Sequence, residues 1–166
     1  RDENAAWLND TTVLFTSGST GQPKAVMHRA GHHWCSAQAA NRQAPLSPGD
    51  RWLCSLPLYH VGGLSILFRC LAGGASVCFP DPAMSLAAVV REMKSSHLSL
   101  VPTQLQRWIR DPDFDLATVK RVLIGGAPLS ESLLQEALAR GVPVATSYGM
   151  TETASQVAAT PPGELV

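Results

Sequence analysis

The sequence predicts an α/β fold in which mostly parallel sheets are flanked by helices. The first reason is composition: the chain has 166 residues, of which 45% are hydrophobic and only 16% are charged, so it can bury a substantial core. The second is order, because from about residue 50 onward apolar segments of strand length alternate with segments of helical length. That alternation favours parallel strands joined by helices that cover the sheet.

The individual elements follow from local composition and from residues that begin or end helices. Runs of strand-forming residues predict strands at residues 12–16, 25–28, 51–55, 75–79, 98–101, 119–124 and 142–146. Longer segments predict helices at residues 31–42, 63–71, 85–95, 102–111 and 130–140. Ser85 and Ser130 suit the N-cap position of two helices, and Gly141 with Pro143 suits the end of the last.

The prolines on either side of Asp81 predict a soft boundary between two lobes of similar size, residues 1–80 and 83–166. The chain has no initial methionine, and residues 160–166 read like the approach to a further strand. We therefore interpret the sequence as a piece of a longer protein.

Charge and cysteine usage exclude several classes of function. Lys plus Arg and Asp plus Glu both number 13, and a neutral chain lacks the basic surface that nucleic acids require. The most apolar stretch is interrupted by His60 and Arg69, so no segment could span a membrane, and no secretory signal is visible. The four cysteines form no Cys-x-x-Cys pair and are predicted to be buried thiols. We expect a cytoplasmic protein.

A hydroxyl-rich loop at residues 16–24, with the sequence TSGSTGQPK, is the most informative motif. Its glycines allow backbone N–H groups to turn toward a ligand, its hydroxyls add donors, and Lys24 adds positive charge. This combination suits the phosphates of a nucleotide, although the order differs from that of the common ATPase loop. The alternative is a flexible polar linker.

Three further loops carry ligand-type residues where predicted strands end. The first contains His60, the second the paired Gly125 and Gly126, and the third the sequence SYGMTET at residues 147–153. In parallel sheets, ligands bind beyond the carboxyl ends of the strands. Taken singly, His60 could be a packed core histidine, the glycines a tight turn, and Thr151 a helix cap.

Together these motifs identify a family resemblance. The strings FTSGSTGQPKAVMH, PLYHVGG, VPTQLQRW, IGGAPLS and SYGMTETAS occur in this order and resemble those of the acyl-adenylate-forming enzymes, which include acyl-CoA ligases, luciferases and peptide-synthetase adenylation domains. Within that family the sequence is most similar to the o-succinylbenzoate–CoA ligases of menaquinone biosynthesis. Ala25 departs from the family pattern, which usually has glycine there.

The resemblance implies a reaction in which a carboxylic acid is adenylated by ATP with Mg²⁺ and is then transferred to coenzyme A. Residues 1–80 would be a phosphate-loop lobe and residues 83–166 a nucleotide and acyl-pocket lobe of a partial N-terminal domain. The residues implied at the phosphates are Thr16, Ser17, Gly18, Ser19, Thr20, Gly21, Lys24 and Thr151, with Glu152 as the Mg²⁺ ligand. The residues implied around adenine are Gly125, Gly126, Ala127, Pro128, Ser147, Tyr148 and Gly149.

The implied acyl pocket contains His60, Gly62, Gly63, Arg69 and Thr103. His60 would approach the reacting carboxylate, and together with Lys24, Thr151 and Glu152 it would make up the catalytic group. We additionally predict that Arg69 binds the second carboxylate of a substrate such as o-succinylbenzoate; the alternative is an arginine paired at the lobe surface.

The family's ribose-binding aspartate and C-terminal domain have no counterpart in this sequence. We therefore expect the isolated chain to form no thioester, to bind ATP weakly and to be prone to self-association. Three alternatives stay open: another aryl- or acyl-CoA ligase, a carrier-loading adenylation domain, or a non-catalytic nucleotide-binding module.

Overall fold

The fold consists of eight strands and five helices in the part of the chain that the structure, a computed structural model, describes: residues 6–16 and 22–161. The strands are β1 (Thr11–Thr16), β2 (Lys24–Arg29), β3 (Arg51–Leu53), β4 (Ser76–Cys78), β5 (His97–Leu100), β6 (Arg121–Ile124), β7 (Val144–Met150) and β8 (Ser155–Ala159). The helices are α1 (Ala30–Gln43), α2 (Val61–Gly73), α3 (Leu86–Glu92), α4 (Pro102–Ile109) and α5 (Glu131–Ala139). Short 3₁₀ helices occupy Ala6–Asn9 and Thr151–Thr153.

Six strands form one sheet in the order β4-β3-β5-β6-β7-β8. The pairs from β4 to β7 are parallel, and β8 pairs with β7 in the antiparallel direction. Strands β1 and β2 form a separate antiparallel hairpin. The predicted α/β class with mostly parallel strands is therefore confirmed.

The sheet is covered on both faces, and alternate residues of its strands point to opposite cores. Leu53, Leu98 and Val122 belong to the cluster that α3, α4 and α5 cover. Trp52 and Leu123, their neighbours in sequence, belong to the cluster that α2 covers with Ile66 and Cys70. Helix α1 lies outside α2, where the His33 ring stacks on Phe68 with 5.0 Å between ring centroids.

Local signals position the helix ends as predicted. The Ser85 hydroxyl accepts a hydrogen bond from the Ala88 N–H, and the Ser130 hydroxyl accepts one from the Leu133 N–H. Helix α5 ends two residues before Gly141, which has a φ of +77°. Within the described residues, no helix is both long enough and apolar enough to cross a membrane.

Two features, strand β8 and the exposure of Cys35, differ from the sequence-based expectations. Strand β8 was not predicted, because its sequence SQVAA contains one strong strand former. It begins at Ser155, which has a positive φ, as does Ala154 before it. The expected boundary at residues 80–82 lies between β4 and α3, in a sheet where β3 pairs with both β4 and β5, and the division into two lobes stays a prediction. Cys35 is exposed, contrary to expectation, whereas the other three cysteines are buried and free.

Candidate functional site

The carboxyl ends of β3, β5, β6 and β7 lie side by side, and many of the predicted site residues lie at or after these ends. From β3 the chain passes into α2 on one face of the sheet, whereas from β5 it passes into α4 on the other. Adjacent strands whose connections leave on opposite faces open a crevice at the edge, which is where α/β sheets bind ligands. His60, at the start of α2, and Thr103, in the first turn of α4, flank this crevice and are both exposed.

His60 is the N-cap residue of α2, and its ring lies 4.5 Å from that of Tyr59. The loop before it is folded tightly over the helix, since a Cβ on Gly63 would lie 2.2 Å from the Pro57 carbonyl oxygen. Glycine at this position is therefore required by the backbone path. The amino end of a helix, where N–H groups lack intrahelical partners, favours a bound anion.

The loop after β6 contacts the second half of β7, because β7 continues through residues that the sequence analysis placed in a loop. The Ser147 hydroxyl donates to the Ile124 carbonyl oxygen at 3.1 Å, and Gly125 lies beside the Ser147 side chain. Beyond Ser147, the Tyr148 ring is 60% exposed at the end of β7. The structure thus brings the predicted adenine-binding residues of β7 and of the loop after β6 to one place, with Gly126, Ala127 and Pro128 exposed in that loop.

The pairing of β7 with β8 requires glycine at position 149. The register shifts between Tyr148 and Gly149, and a Cβ at residue 149 would lie 2.0 Å from the Ser155 carbonyl oxygen. Because the obstructing atom belongs to the backbone, no side-chain movement could relieve the clash. The Tyr-Gly-x-Thr-Glu element therefore depends on this glycine for its shape.

The hydroxyl-rich loop connects the two strands of the hairpin. Its end residues Thr16 and Lys24 are cross-strand partners, and the Lys24 side chain is exposed. Ser17, Gly18, Ser19, Thr20 and Gly21, which we predicted to bind phosphate, lie outside the described residues. Their role stays a prediction.

The hairpin contacts the corner between β7 and β8, which comprises residues 151–154. His28 of β2 is buried, and its Nε2 donates a hydrogen bond to the Thr151 carbonyl oxygen at 2.6 Å. The residues before and after His28 in β2, Met27 and Arg29, are exposed. Two motifs more than 120 residues apart in sequence are therefore in direct contact.

Three histidine rings cluster between the hairpin and α1. The His28 ring lies 5.7 Å from that of His32 and 5.1 Å from that of His33. His33 is only 1% exposed, and its Nε2 hydrogen-bonds the Thr12 hydroxyl at 2.8 Å. Burial, aided by the two neighbouring histidines, lowers the pKa of His33 from 6.5 to about 4. His33 is therefore neutral at physiological pH.

An open pocket of about 350 Å³ lies between α1 and the corner. Its wall is formed by His28, His32, Cys35, Ser36, Glu152, Thr153, Ala154 and Gln156. Of the predicted site residues, the lining includes Glu152, whose side chain is exposed. Among the described residues, no group of three or more His, Cys, Asp or Glu side chains is arranged to hold a metal ion.

Arg69 is buried rather than paired at the surface. It is 4% exposed, its guanidinium lies 5.4 Å from the centroid of the Trp52 ring, and its Nη2 donates to the Gln156 Oε1 at 3.1 Å. Burial and the nearby Arg121 lower its pKa to about 10. In the part of the chain described, no carboxylate forms an ion pair with Arg69. Gln156 connects this arginine to the pocket beside Glu152.

His28 and Gln156 belong to this site without having been predicted from the sequence. The sequence did contain a signal for His28. It is a polar residue at an inward-facing position of β2, where inward-facing and outward-facing positions alternate. For Gln156 no signal existed, since its position depends on the unpredicted strand β8.

The chain matches known proteins over nearly its whole length. The pattern of the family described as AMP-binding enzyme matches residues 3–165. The chain is 36% identical over 158 residues to the 2-succinylbenzoate–CoA ligase of Listeria monocytogenes, and 39% identical over 159 residues to that of Haemophilus influenzae. Each alignment covers 93% of this chain and 34% of the relative. The chain thus spans about a third of the length of these relatives.

Solved structures give the same result. The o-succinylbenzoate coenzyme A synthetase of Bacillus subtilis, solved in complex with ATP and magnesium ion, superimposes with a TM-score of 0.85 at 34% sequence identity. The match covers 93% of this chain and 33% of that chain. The same enzyme in complex with the acyl-adenylate intermediate OSB-AMP superimposes with a TM-score of 0.86.

Proposed function

The chain belongs to the AMP-binding enzyme family, and we propose that it forms part of an ATP-dependent acid–CoA ligase whose acid is o-succinylbenzoate. In the first step a carboxylate oxygen of the acid attacks the α-phosphorus of ATP, a new P–O bond forms, and pyrophosphate leaves. In the second step the thiolate of coenzyme A attacks the acyl carbon, and AMP leaves. The identity of the acid follows the relatives named as ligases for it.

The contact between His28 and the Thr151 carbonyl oxygen is the observation that carries this proposal. It joins the hairpin that bears the hydroxyl-rich loop to the corner that bears Glu152. Phosphoryl transfer requires that groups on the phosphates be brought together from separate parts of the chain. In this proposal Lys24 and the residues at 16–21 hold the β- and γ-phosphates, and Thr151 bonds a phosphate.

Glu152 suits the Mg²⁺ that the bound nucleotide would bring. Its carboxylate is exposed at the pocket and forms no ion pair within the described residues. Magnesium typically takes one or two protein carboxylates and completes its coordination with phosphates and water, so a single acidic residue is sufficient. When bound, the ion neutralises phosphate charge. The role of Glu152 is to hold the positive charge of the ion beside the corner.

The carboxylic acid would bind at the crevice between β3 and β5. His60 begins α2 there, and the free N–H groups of that helix end favour the approach of a carboxylate. Gly62 and Gly63 keep the helix start uncrowded, while Thr103 and the exposed Tyr148 ring border the space toward the adenine side. The adenine would stack on Tyr148, with Gly125, Gly126, Ala127, Pro128, Ser147 and Gly149 around it.

Arg69 would bind the second carboxylate of the acid. A buried guanidinium without an acidic partner gains most from an incoming carboxylate, and Gln156 already orients its Nη2. In the full-length ligase, Arg69→Met should raise the KM for o-succinylbenzoate at least tenfold more than the KM for benzoate. Arg121→Met, which removes another buried arginine from the same face of the sheet, is the control. Equal effects of Arg69→Met on the two acids would refute this role.

ATP–pyrophosphate exchange by the full-length protein tests the proposed function. Exchange should depend on the acid, with o-succinylbenzoate preferred over benzoate, aliphatic acids and amino acids. A preference for another aryl or fatty acid would indicate a different CoA ligase. Product formation on a carrier protein in place of coenzyme A would indicate a loading domain. If the folded protein catalyses no ATP–pyrophosphate exchange with any of these acids, the proposal is refuted.

We propose that the 166-residue chain alone is inactive and binds ATP weakly. Calorimetry with ATP and Mg²⁺ tests this, because a non-catalytic nucleotide-binding module would bind ATP without any further segment. One side of the hairpin exposes Phe15 (66% exposed), Met27 (71%) and Val13, which favours self-association of the isolated chain. Sedimentation at several concentrations would measure it. Three buried free thiols favour a reducing compartment, the cytoplasm.

A further inference from the structure

We propose that His28 is a positioning residue for this reaction: by holding the Thr151 carbonyl oxygen, it fixes the corner that carries Glu152 against the hairpin. This inference rests on the proposed function. His28 touches no reacting atom in it, and acts through the backbone of Thr151.

The geometry of His28 is that of a fixed donor. A carbonyl oxygen can only accept, so the Nε2 of His28 carries the hydrogen in the 2.6 Å bond to Thr151. The ring is 6% exposed and is flanked by the rings of His32 and His33, each in an edge-on arrangement. His33 is in turn anchored to Thr12 of β1. The donor is therefore held by contacts from both hairpin strands and from α1.

The corner needs such a support. Ala154 and Ser155 have φ values of +54° and +102°, which side-chain-bearing residues rarely adopt. Met150, Glu152 and Thr153 are exposed, whereas Ala154 is buried, and the Thr153 hydroxyl bonds the backbone of Met150 and Ser155 within the turn. The Thr151 carbonyl oxygen accepts from the Ala154 N–H at 3.0 Å within the corner and from His28 outside it. The bond from His28 therefore ties a strained turn to a buried ring.

The position of Glu152 follows from that of Thr151. Glu152 is the next residue, and the two belong to one 3₁₀ turn, so a shift of the Thr151 peptide moves the Glu152 carboxylate as well. Lys24 lies on the same strand as His28, four residues away, or about 13 Å along an extended strand. One side chain thus sets the relation between the two parts proposed to hold the phosphates and their Mg²⁺.

The test compares three variants of the full-length ligase. His28→Ala removes the bond, and His28→Gln places an amide N–H near the position of Nε2. Arg42→Ala is the control, because it removes an exposed side chain from the last turn of α1 that lies outside the pocket lining and has no bond to Thr151. Each variant is assayed for the Mg²⁺ concentration that gives half-maximal pyrophosphate exchange. Hydrogen–deuterium exchange of the peptide containing residues 150–156 is measured without ligands.

His28→Ala should raise the half-maximal Mg²⁺ concentration about fivefold, the effect expected from one lost hydrogen bond, and should leave the KM for the acid nearly unchanged. Its corner peptide should exchange deuterium about tenfold faster. His28→Gln should recover most of both changes, and it replaces the alanine variant as the test if that variant does not fold. Arg42→Ala should resemble the wild type.

Two results would overturn the proposal. One is an unchanged Mg²⁺ dependence together with a lower melting temperature, which indicates a role in stability alone. The other is unchanged deuterium exchange at the corner in a folded His28 variant, which needs no activity to be measured. If the wild type catalyses no pyrophosphate exchange, that result counts against the proposed function instead. The deuterium measurement would still decide the role of His28.

Discussion

Replacing His33 should remove a large part of the acid sensitivity of this fold. The ring is buried, its Nε2 is bonded to the Thr12 hydroxyl, and its Nδ1 has no hydrogen-bond partner among the described residues. Protonation would place a positive charge beside His28 and His32 in this buried position. That is why the pKa of His33 falls from 6.5 to about 4.

The sign and size of the effect follow from proton linkage. Because the folded-state pKa of His33 lies below its unfolded value, the unfolded chain binds more protons between about pH 6.5 and about pH 4, and stability is lost as the pH falls through that window. Between about pH 7 and about pH 4.5, this one histidine would lower the free energy of unfolding by about 2 kcal/mol. Burial also lowers the pKa of His97, so a second loss of the same sign accompanies it.

Urea denaturation monitored by tryptophan fluorescence at these two pH values measures the effect. His33→Phe keeps an aromatic ring against Phe68 but cannot take up a proton, so its loss of stability on acidification should be about 2 kcal/mol smaller than in the wild type. His60→Phe, which removes an exposed histidine, is the control and should retain the wild-type loss. An equal loss in His33→Phe and in the wild type would refute the assignment of this sensitivity to His33.

Three further predictions concern packing and buried charge. Gly149→Ala should lower the free energy of unfolding by about 3 kcal/mol in the same assay, because its Cβ would meet a backbone oxygen at 2.0 Å. Gly62→Ala should cost clearly less, since its Cβ would meet a movable leucine methyl at 3.2 Å. Native-state labelling with a thiol reagent should modify Cys35 first and the buried thiols only on unfolding: Cys54, Cys70 and Cys78. Lys120→Met should cost about 1–3 kcal/mol at neutral pH, since Lys120 lies 2.7 Å from the buried carboxylate of Asp50, and this cost should shrink when acid protonates Asp50.

Most of the fold could be predicted because its signals are local. Strong strand formers, serine caps and the Gly141 stop act within a few residues, and the alternation of strand and helix then restricts the topology. Strand β8 could not be predicted in this way, because its small and polar residues become a strand only when β7 supplies a partner. For the same reason, the contact of Gln156 with Arg69 could not be predicted from the sequence.

The sequence indicates candidate site residues where the type of a residue suggests its chemistry, but not where its neighbours decide its role. Hydroxyls, glycines and a glutamate grouped at strand ends suit phosphate and metal ligation, and their roles in this chain stay predictions. Arg69 shows the opposite case: its sequence context suggested either a substrate ligand or a surface arginine. Its burial against Trp52, with Gln156 as its partner, depends on contacts made across three elements.

The order of the strands also constrains how a ligand could lie across the sheet edge. His60 follows β3 and Tyr148 lies near the end of β7. The order β3-β5-β6-β7 separates these two strands by three strand spacings, or about 14 Å. An acid at the β3 end and an adenine at the β7 end would therefore be joined by a phosphate near the middle of the edge, which is the shape of an extended acyl-adenylate. The hairpin and the corner approach from the β7–β8 side, so the leaving pyrophosphate would depart toward them. Separate parts of the chain would then act on the two sides of the reacting phosphorus: the acid on one side and the pyrophosphate on the other. For this reason the contact at His28, which aligns the hairpin with the corner, should affect the rate of reaction more than the stability of the fold.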